Sequence, residues 1–202
     1  MTPEFLFDFG SPNAYLAHRV LPAVEARTGV RFEYVPVLLG GVFKATGNRS
    51  PVEAYADIPS KLAYEQLEMR RFIARHGISE FQFNPHFPVN TLLIMRGAVA
   101  TRIDGGLPAY VEAVMRAMWV DGKAMADPEV VRAALDAAGL DGARILARTQ
   151  DADVKQRLIA ETERAVTRGV FGLPAFFVGD ELYFGKDRLR DVEEEIVRRR
   201  PA

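Results

Sequence analysis

Residues 5–17 read Phe5-Leu6-Phe7-Asp8-Phe9-Gly10-Ser11-Pro12-Asn13-Ala14-Tyr15-Leu16-Ala17. An apolar strand runs straight into Ser-Pro, and a helical pattern follows. Serine is a preferred N-cap, and Pro12 stands at the first helical position, where proline is favoured. The construction puts the Ser11 hydroxyl at the positive end of a helix, at the C-terminal edge of a strand. Helix N-termini stabilise anions through free N–H groups and the macrodipole. A thiolate or a carboxylate therefore suits this position. Ser11 has two readings on local sequence: a cap only, or a cap that also donates to a ligand anion. No Gly-x-Ser-x-Gly elbow surrounds it, so a Ser-His-Asp hydrolase is not indicated.

Outward from this stretch, residues 3–9 read as a buried strand. Residues 12–28 read as a helix with Tyr15, Leu16, Val20, Leu21 and Val24 at helical spacing, stopped by Gly29. Residues 30–38 alternate and read as a second strand. Two strands joined by a helix make a parallel, right-handed crossover. Residues 40–50, with Gly40-Gly41, Lys44 and Gly47-Asn48, read as a loop. From about 52 to 150 the pattern is helical, punctuated by His76-Gly77, Asp104-Gly105-Gly106, Gly122, the cap Asp127-Pro128 and Gly139. Residues 151–168 form a charged amphipathic helix. Val170 to Val178, the turn Gly179-Asp180 and Glu181 to Phe184 read as a hairpin. A last helix spans about 187–199, and Arg198-Arg199-Arg200 reads as its basic last turn.

Strand–helix–strand followed by helix–strand–strand–helix is the order of an α/β, thioredoxin-like fold. It divides the chain into a discontinuous thioredoxin-like domain, 1–40 and 151–202, and a large all-helical insertion, 41–150. Such folds carry a proline, commonly cis, at the start of the third strand and opposite the first helix. Pro174 is placed for this, and a cis bond there exposes the backbone of Leu173. The alternative is an ordinary trans proline that opens a strand.

Composition narrows the function. The chain has 202 residues, is 49% hydrophobic and carries a formal charge of -1. That is enough for a core, and it provides no basic field for nucleic acid. The absence of cysteine excludes disulfides, zinc-thiolate sites, cysteine nucleophiles and CxxC redox chemistry. No apolar run is long enough to cross a bilayer and no signal-peptide pattern opens the chain, so the reading is a cytoplasmic protein with no membrane partner. His18, His76 and His86 have no metal-ligand spacing and read as structural or surface residues, with His18 set apart only by its nearness to Ser11. Phe81, Phe83, Phe87 and Trp119 line an apolar pocket or belong to the core. Asp8, inside an apolar strand, must be paired or at an edge.

Five ordered stretches carry a family likeness across essentially the whole chain. They are residues 7–17, Leu39-Gly40-Gly41-Val42-Phe43-Lys44 through Gly47-Asn48 and Pro51, Ile58-Pro59-Ser60-Lys61-Leu62-Ala63-Tyr64, Phe171-Gly172-Leu173-Pro174, and Phe184-Gly185-Lys186-Asp187-Arg188. Together they resemble the 2-hydroxychromene-2-carboxylate isomerases. That family is similar to kappa-class glutathione transferases and grouped with disulfide oxidoreductases of thioredoxin-like fold. The resemblance implies reduced glutathione as cofactor, a small aromatic substrate and a homodimer. It implies that Ser11 is the catalytic residue, bonded to the glutathione sulfur. Asn48 and Lys61 would hold the glycyl side. Leu173, before Pro174, would pair with the cysteinyl backbone, and Asp187 would take the γ-glutamyl ammonium. Lys44 is the candidate for the substrate carboxylate.

The implied reaction interconverts 2-hydroxychromene-2-carboxylate and trans-o-hydroxybenzylidenepyruvate. A thiolate adds to the conjugated side chain, a double bond becomes single and rotates, and elimination returns the thiolate. Two departures stand out. Kappa enzymes have serine where this chain has Lys186, which bears on the γ-glutamyl contact. Gly10 stands where leucine is common, which suggests added room for a second substrate. Two other functions fit the same residues. One is a kappa-like transferase or peroxidase acting on another electrophile. The other is a non-enzymatic thioredoxin-fold module binding through the Pro174 groove.

Overall fold

The computed structural model describes residues 2–199. Arg200, included above in the basic last turn, lies outside the described residues. Strand β1 (Glu4–Phe7) leads through Ser11 into α1 (Pro12–Thr28), which returns to β2 (Glu33–Pro36). Next come α2 (Leu39–Thr46), the single turn α3 (Pro51–Ala54) and α4 (Pro59–His76). Helices α5 (Leu92–Asp104), α6 (Leu107–Trp119), α7 (Pro128–Ala137) and α8 (Gly142–Arg148) follow. Helix α9 (Ala152–Thr167) leads to β3 (Ala175–Val178) and β4 (Glu181–Phe184), then a 3-10 turn at Lys186–Arg188 and α10 (Leu189–Arg198).

The four strands lie in the order β2-β1-β3-β4. β1 and β2 are parallel, with Phe5 opposite Tyr34; β1–β3 and β3–β4 are antiparallel, with Leu6 opposite Ala175 and Ala175 opposite Phe184. This is the thioredoxin-like arrangement expected from element order, with the helical segments between its halves.

Strand β1 is central and apolar on both faces, as a doubly covered strand must be. Phe5 and Phe7 point to one side, into a cluster with Tyr15, Leu16, Phe176 and the insertion residues Met95, Met118 and Trp119. Leu6 points to the other, with Val35, Val37, Val42 and Phe177, beneath α2 and α9. Phe5, Phe7 and Phe9 are fully buried. Each contributes about 1.5–3 kcal/mol on burial.

One expectation is overturned. Residues 40–50 are not a loop: Leu39–Thr46 is helical and ends at Gly47, φ +70°. Of the paired glycines that read as breakers, Gly41 serves packing. A Cβ on Gly41 would sit 3.0 Å from the Thr162 side chain, so the glycine lets α2 approach α9 closely. The predicted second strand is also shorter, spanning Glu33–Pro36. No helix among the described residues is long and apolar enough to cross a membrane.

Candidate active site

The β1–α1 turn brings Ser11 to the site through its own backbone. The Ser11 N–H donates to the Asp8 carbonyl at 3.1 Å, and the Ser11 Oγ accepts from the Ala14 N–H at 3.2 Å, closing the cap. The same hydroxyl donates to the Leu173 carbonyl at 3.1 Å. Ser11 is 5% exposed. It is therefore a cap and a cross-chain contact at once, over 162 residues of sequence.

The Leu173–Pro174 bond is cis. The Pro174 carbonyl accepts from Gly185 N–H at 2.9 Å, which fixes the start of the 3-10 turn beside the start of β3. Asn48 reaches the same region from α2's far end: its Nδ2 donates to the Phe171 carbonyl at 2.7 Å. Ser11, Leu173, Pro174 and Asn48, with the Lys186-Asp187 turn, thus converge around the β3 N-terminus.

Two predicted residues are not tied into this group. Lys61 lies over the Tyr55 ring, Nζ 3.6 Å from its centroid, near the start of α4. Lys44 stands exposed in the last turn of α2. Among the described residues no hydrogen bond or ion pair joins either lysine to Ser11, Leu173 or Asp187.

Asp187 is at the site, but it is occupied. Lys186 Nζ donates to both of its carboxylate oxygens, at 2.7 and 2.8 Å. The Lys186 side chain is 5% exposed against 63% for Asp187, and its Nζ lies 4.9 Å over the Phe72 ring of α4.

Beneath the turn, Asp8 answers the sequence's demand for a partner. Its Oδ1 accepts from Gly10 N–H at 2.8 Å, and its Oδ2 accepts from Leu39 N–H at 2.8 Å and Thr91 Oγ1 at 3.1 Å. One carboxyl thereby joins the Ser11 turn, α2 and the start of α5. Burial pushes its pKa above the usual 3.8, with the three hydrogen bonds pulling the other way. Gly10 does not open room: a Cβ there would meet Thr91 Cγ2 at 3.0 Å and Asp8 Oδ1 at 3.3 Å. The space the missing side chain leaves is filled by Thr91, the residue that caps α5, which corrects the expectation of a widened substrate pocket.

The aromatic residues divide. Trp119 is fully buried, and its Nε1–H donates to the Phe9 carbonyl at 2.8 Å, so it is core that braces the site's strand. Phe81 and Phe87 are half-buried against it, and Phe83 is 52% exposed, all within about 6 Å ring to ring. His18 is structural: Nδ1 meets the Tyr34 hydroxyl at 2.8 Å and Nε2 the Glu112 carboxylate at 3.2 Å. Sequence reasoning passed over Asn13, whose Oδ1 is buried with no hydrogen-bond partner among the described residues. Its only signal was a polar residue one step after Pro12 at a helix start.

A cis proline opposite a helix N-cap, on a β2-β1-β3-β4 sheet with a helical insertion, defines a DSBA-like thioredoxin domain. The family model of that description matches residues 4–197. A solved 2-hydroxychromene-2-carboxylate isomerase superposes with a TM-score of 0.79 at 29% identity, over 98% of this chain and 95% of that one. The 2-hydroxychromene-2-carboxylate isomerase of Pseudomonas sp. (strain C18) is 31% identical over 96% of this chain and 89% of its own length. Glutathione S-transferase kappa 1 of Rattus norvegicus is 26% identical over 92% and 86% respectively. The chain belongs to the DSBA-like thioredoxin family, and within it to the 2-hydroxychromene-2-carboxylate isomerases, and it is an enzyme of isomerase type.

Proposed function

We propose that this chain is a glutathione-dependent cis–trans isomerase of the 2-hydroxychromene-2-carboxylate type, working in the cytoplasm as a homodimer. The observation that carries the reading is the Ser11 hydroxyl at the N-terminus of α1, 3.1 Å from the carbonyl that precedes cis Pro174, in a chain with no cysteine. The donor set fits a peptide thiol: a hydroxyl and a helix N-terminus for a thiolate, the Leu173 backbone for a peptide group, and the Asn48 amide for a polar end, with the Lys186–Asp187 pair beside the other end. Bound glutathione would supply a thiolate able to add reversibly to the conjugated side chain of the substrate, so that a double bond becomes a rotatable single bond.

The chain's own residues do the rest. Ser11 turns its hydroxyl from Leu173 to the ligand sulfur, and the α1 dipole favours the ionised form. A free thiol with a pKa near 8.5 is only a few per cent thiolate at neutral pH, so this assistance bears directly on rate. Leu173 offers its backbone to the cysteinyl unit. Asn48 and Lys61 hold the glycyl end, and Lys44 attracts the substrate carboxylate. Lys61 must leave the Tyr55 ring for this.

The test is isomerisation of 2-hydroxychromene-2-carboxylate, followed by absorbance with and without glutathione, in wild type and Ser11→Ala. Glutathione-dependent turnover that falls at least tenfold in Ser11→Ala supports the reading. Turnover without glutathione refutes it. The kappa relative favours one second reading, transfer of glutathione to another electrophile. Glutathione binding with no isomerisation would select it.

A further inference from the structure

Lys186 is buried and holds Asp187 by both oxygens, and on the glutathione reading Asp187 is the residue beside the amino-terminal end of the thiol. We propose that Lys186 is a specificity-determining residue: by neutralising Asp187 it makes the site indifferent to an ammonium at that end of the thiol. The chain then accepts thiols that carry only a carboxylate there as readily as γ-glutamyl thiols. This rests on the glutathione reading given above.

The argument starts from place. Gly185 N–H bonded to the Pro174 carbonyl puts residues 185–187 against the start of β3, and β3 begins at Ala175, directly after Pro174. Asp187 is the exposed acid of this turn. Its carboxylate has about four lone-pair directions, of which Lys186 takes two.

A ligand ammonium that docked on Asp187 would face two penalties. First, it would sit about 3 Å from the carboxylate and within about 6 Å of the Lys186 ammonium, so repulsion cancels a large part of the attraction. Second, it does not displace Lys186 at little cost. The Lys186 side chain is 5% exposed, with its Nζ against the Phe72 ring, and removing a buried cation's counter-ion is strongly unfavourable. Among the described residues no other acid bonds Lys186. Glu68 on α4 feels its charge, but Glu68 is bonded to Arg71. The pair therefore remains closed and presents no net charge, while a ligand carboxylate meets no repulsion from it. Serine at this position would leave Asp187 uncompensated and selective for an ammonium.

The experiment is isothermal titration of the full chain with glutathione and with glutaryl-Cys-Gly, which is glutathione without its α-ammonium. Wild type, Lys186→Ser and Lys186→Met are compared, with folding checked by circular dichroism. The proposal expects wild-type Kd values within about threefold of each other, and at least a tenfold preference for glutathione in the folded variant. A tenfold preference for glutathione in wild type overturns it, whether or not the variants fold. An unchanged ratio in a folded variant also overturns it. Binding of neither thiol to wild type refutes the glutathione reading itself, and this inference falls with it.

Discussion

Replacing Asp8 should weaken the site's foundation in a way that depends on pH. Asp8→Ala removes the acceptor for the Gly10 and Leu39 N–H groups, both at 2.8 Å, and for the Thr91 hydroxyl at 3.1 Å. The hydroxyl can turn elsewhere; the two amides cannot. An orphaned buried donor costs about 1–3 kcal/mol, and relief of the buried carboxylate offsets part of the sum, leaving about 2–4 kcal/mol. Asp8→Asn keeps the shape but aims an NH2 at one of the donors, for about 1–3 kcal/mol. Burial raises the Asp8 pKa in the folded chain above its unfolded value of 3.8. The folded state therefore binds this proton more tightly than the unfolded state. The stabilisation it lends is full below pH 3.8 and declines as pH rises through the folded pKa. Asparagine does not titrate, so the gap between wild type and Asp8→Asn should be widest at the acid end and narrow as pH rises. Urea unfolding of both chains at pH 4 to 8 measures the gap, because the other groups cancel in the difference. A gap that widens with pH would mean that the three donors outweigh burial and hold Asp8 as a carboxylate, and the reasoning would be wrong.

Other changes have definite expected outcomes. Ser11→Ala should cost about 0.5–2 kcal/mol of stability for the lost cap, read by urea unfolding alongside the much larger loss of turnover. Gly97→Ala should destabilise by about 2–4 kcal/mol. The new Cβ would fall on the Tyr110 ring, 2.6 Å from Cζ, and displace the hydroxyl that donates to the Ile94 carbonyl; a thermal melt that matches wild type would contradict this packing. Trp119→Phe should lose about 2–3 kcal/mol in urea, since the Phe9 carbonyl loses its donor and the larger ring leaves a void. Lys61→Ala should raise the glutathione Kd several-fold and leave the melting temperature within about 2 °C, because the residue is exposed at its position over Tyr55; an unchanged Kd removes Lys61 from the site.

Where the sequence was legible, one local rule dominated. Ser11-Pro12 followed by helical spacing could only be a capped helix start, and Gly179-Asp180 between apolar runs could only be a hairpin turn; both elements stand where those rules put them. Residues 40–50 were illegible because Gly41 obeys a tertiary demand. Gly41 exists for its approach to Thr162, more than a hundred residues away, and no window of local sequence contains that partner. The same holds at the site. Ser11, Leu173 and Asp187 stood out by motif alone, but Gly10 suggested space only because Thr91, which fills it, lies 81 positions on.

The bond between Ser11 and Leu173 also constrains how the site must work. On the glutathione reading, the hydroxyl that would meet the thiolate already donates to the carbonyl that would meet the peptide. A ligand therefore exchanges one internal hydrogen bond for new ones with each group. Neutral partners return little in such an exchange, since a typical hydrogen bond nets only about 1 kcal/mol. An ionised sulfur returns more, because charge-assisted bonds are roughly twice as strong and the α1 dipole adds to them. On the glutathione reading, this geometry favours a thiolate over a protonated thiol. Ser11→Ala should then weaken glutathione binding mainly above the thiol's bound-state pKa, where wild type gains most from the charge. Titrations at pH 6 and pH 9 separate the cases: an equal loss at both would show that Ser11 contributes shape and capping but no preference for the anion.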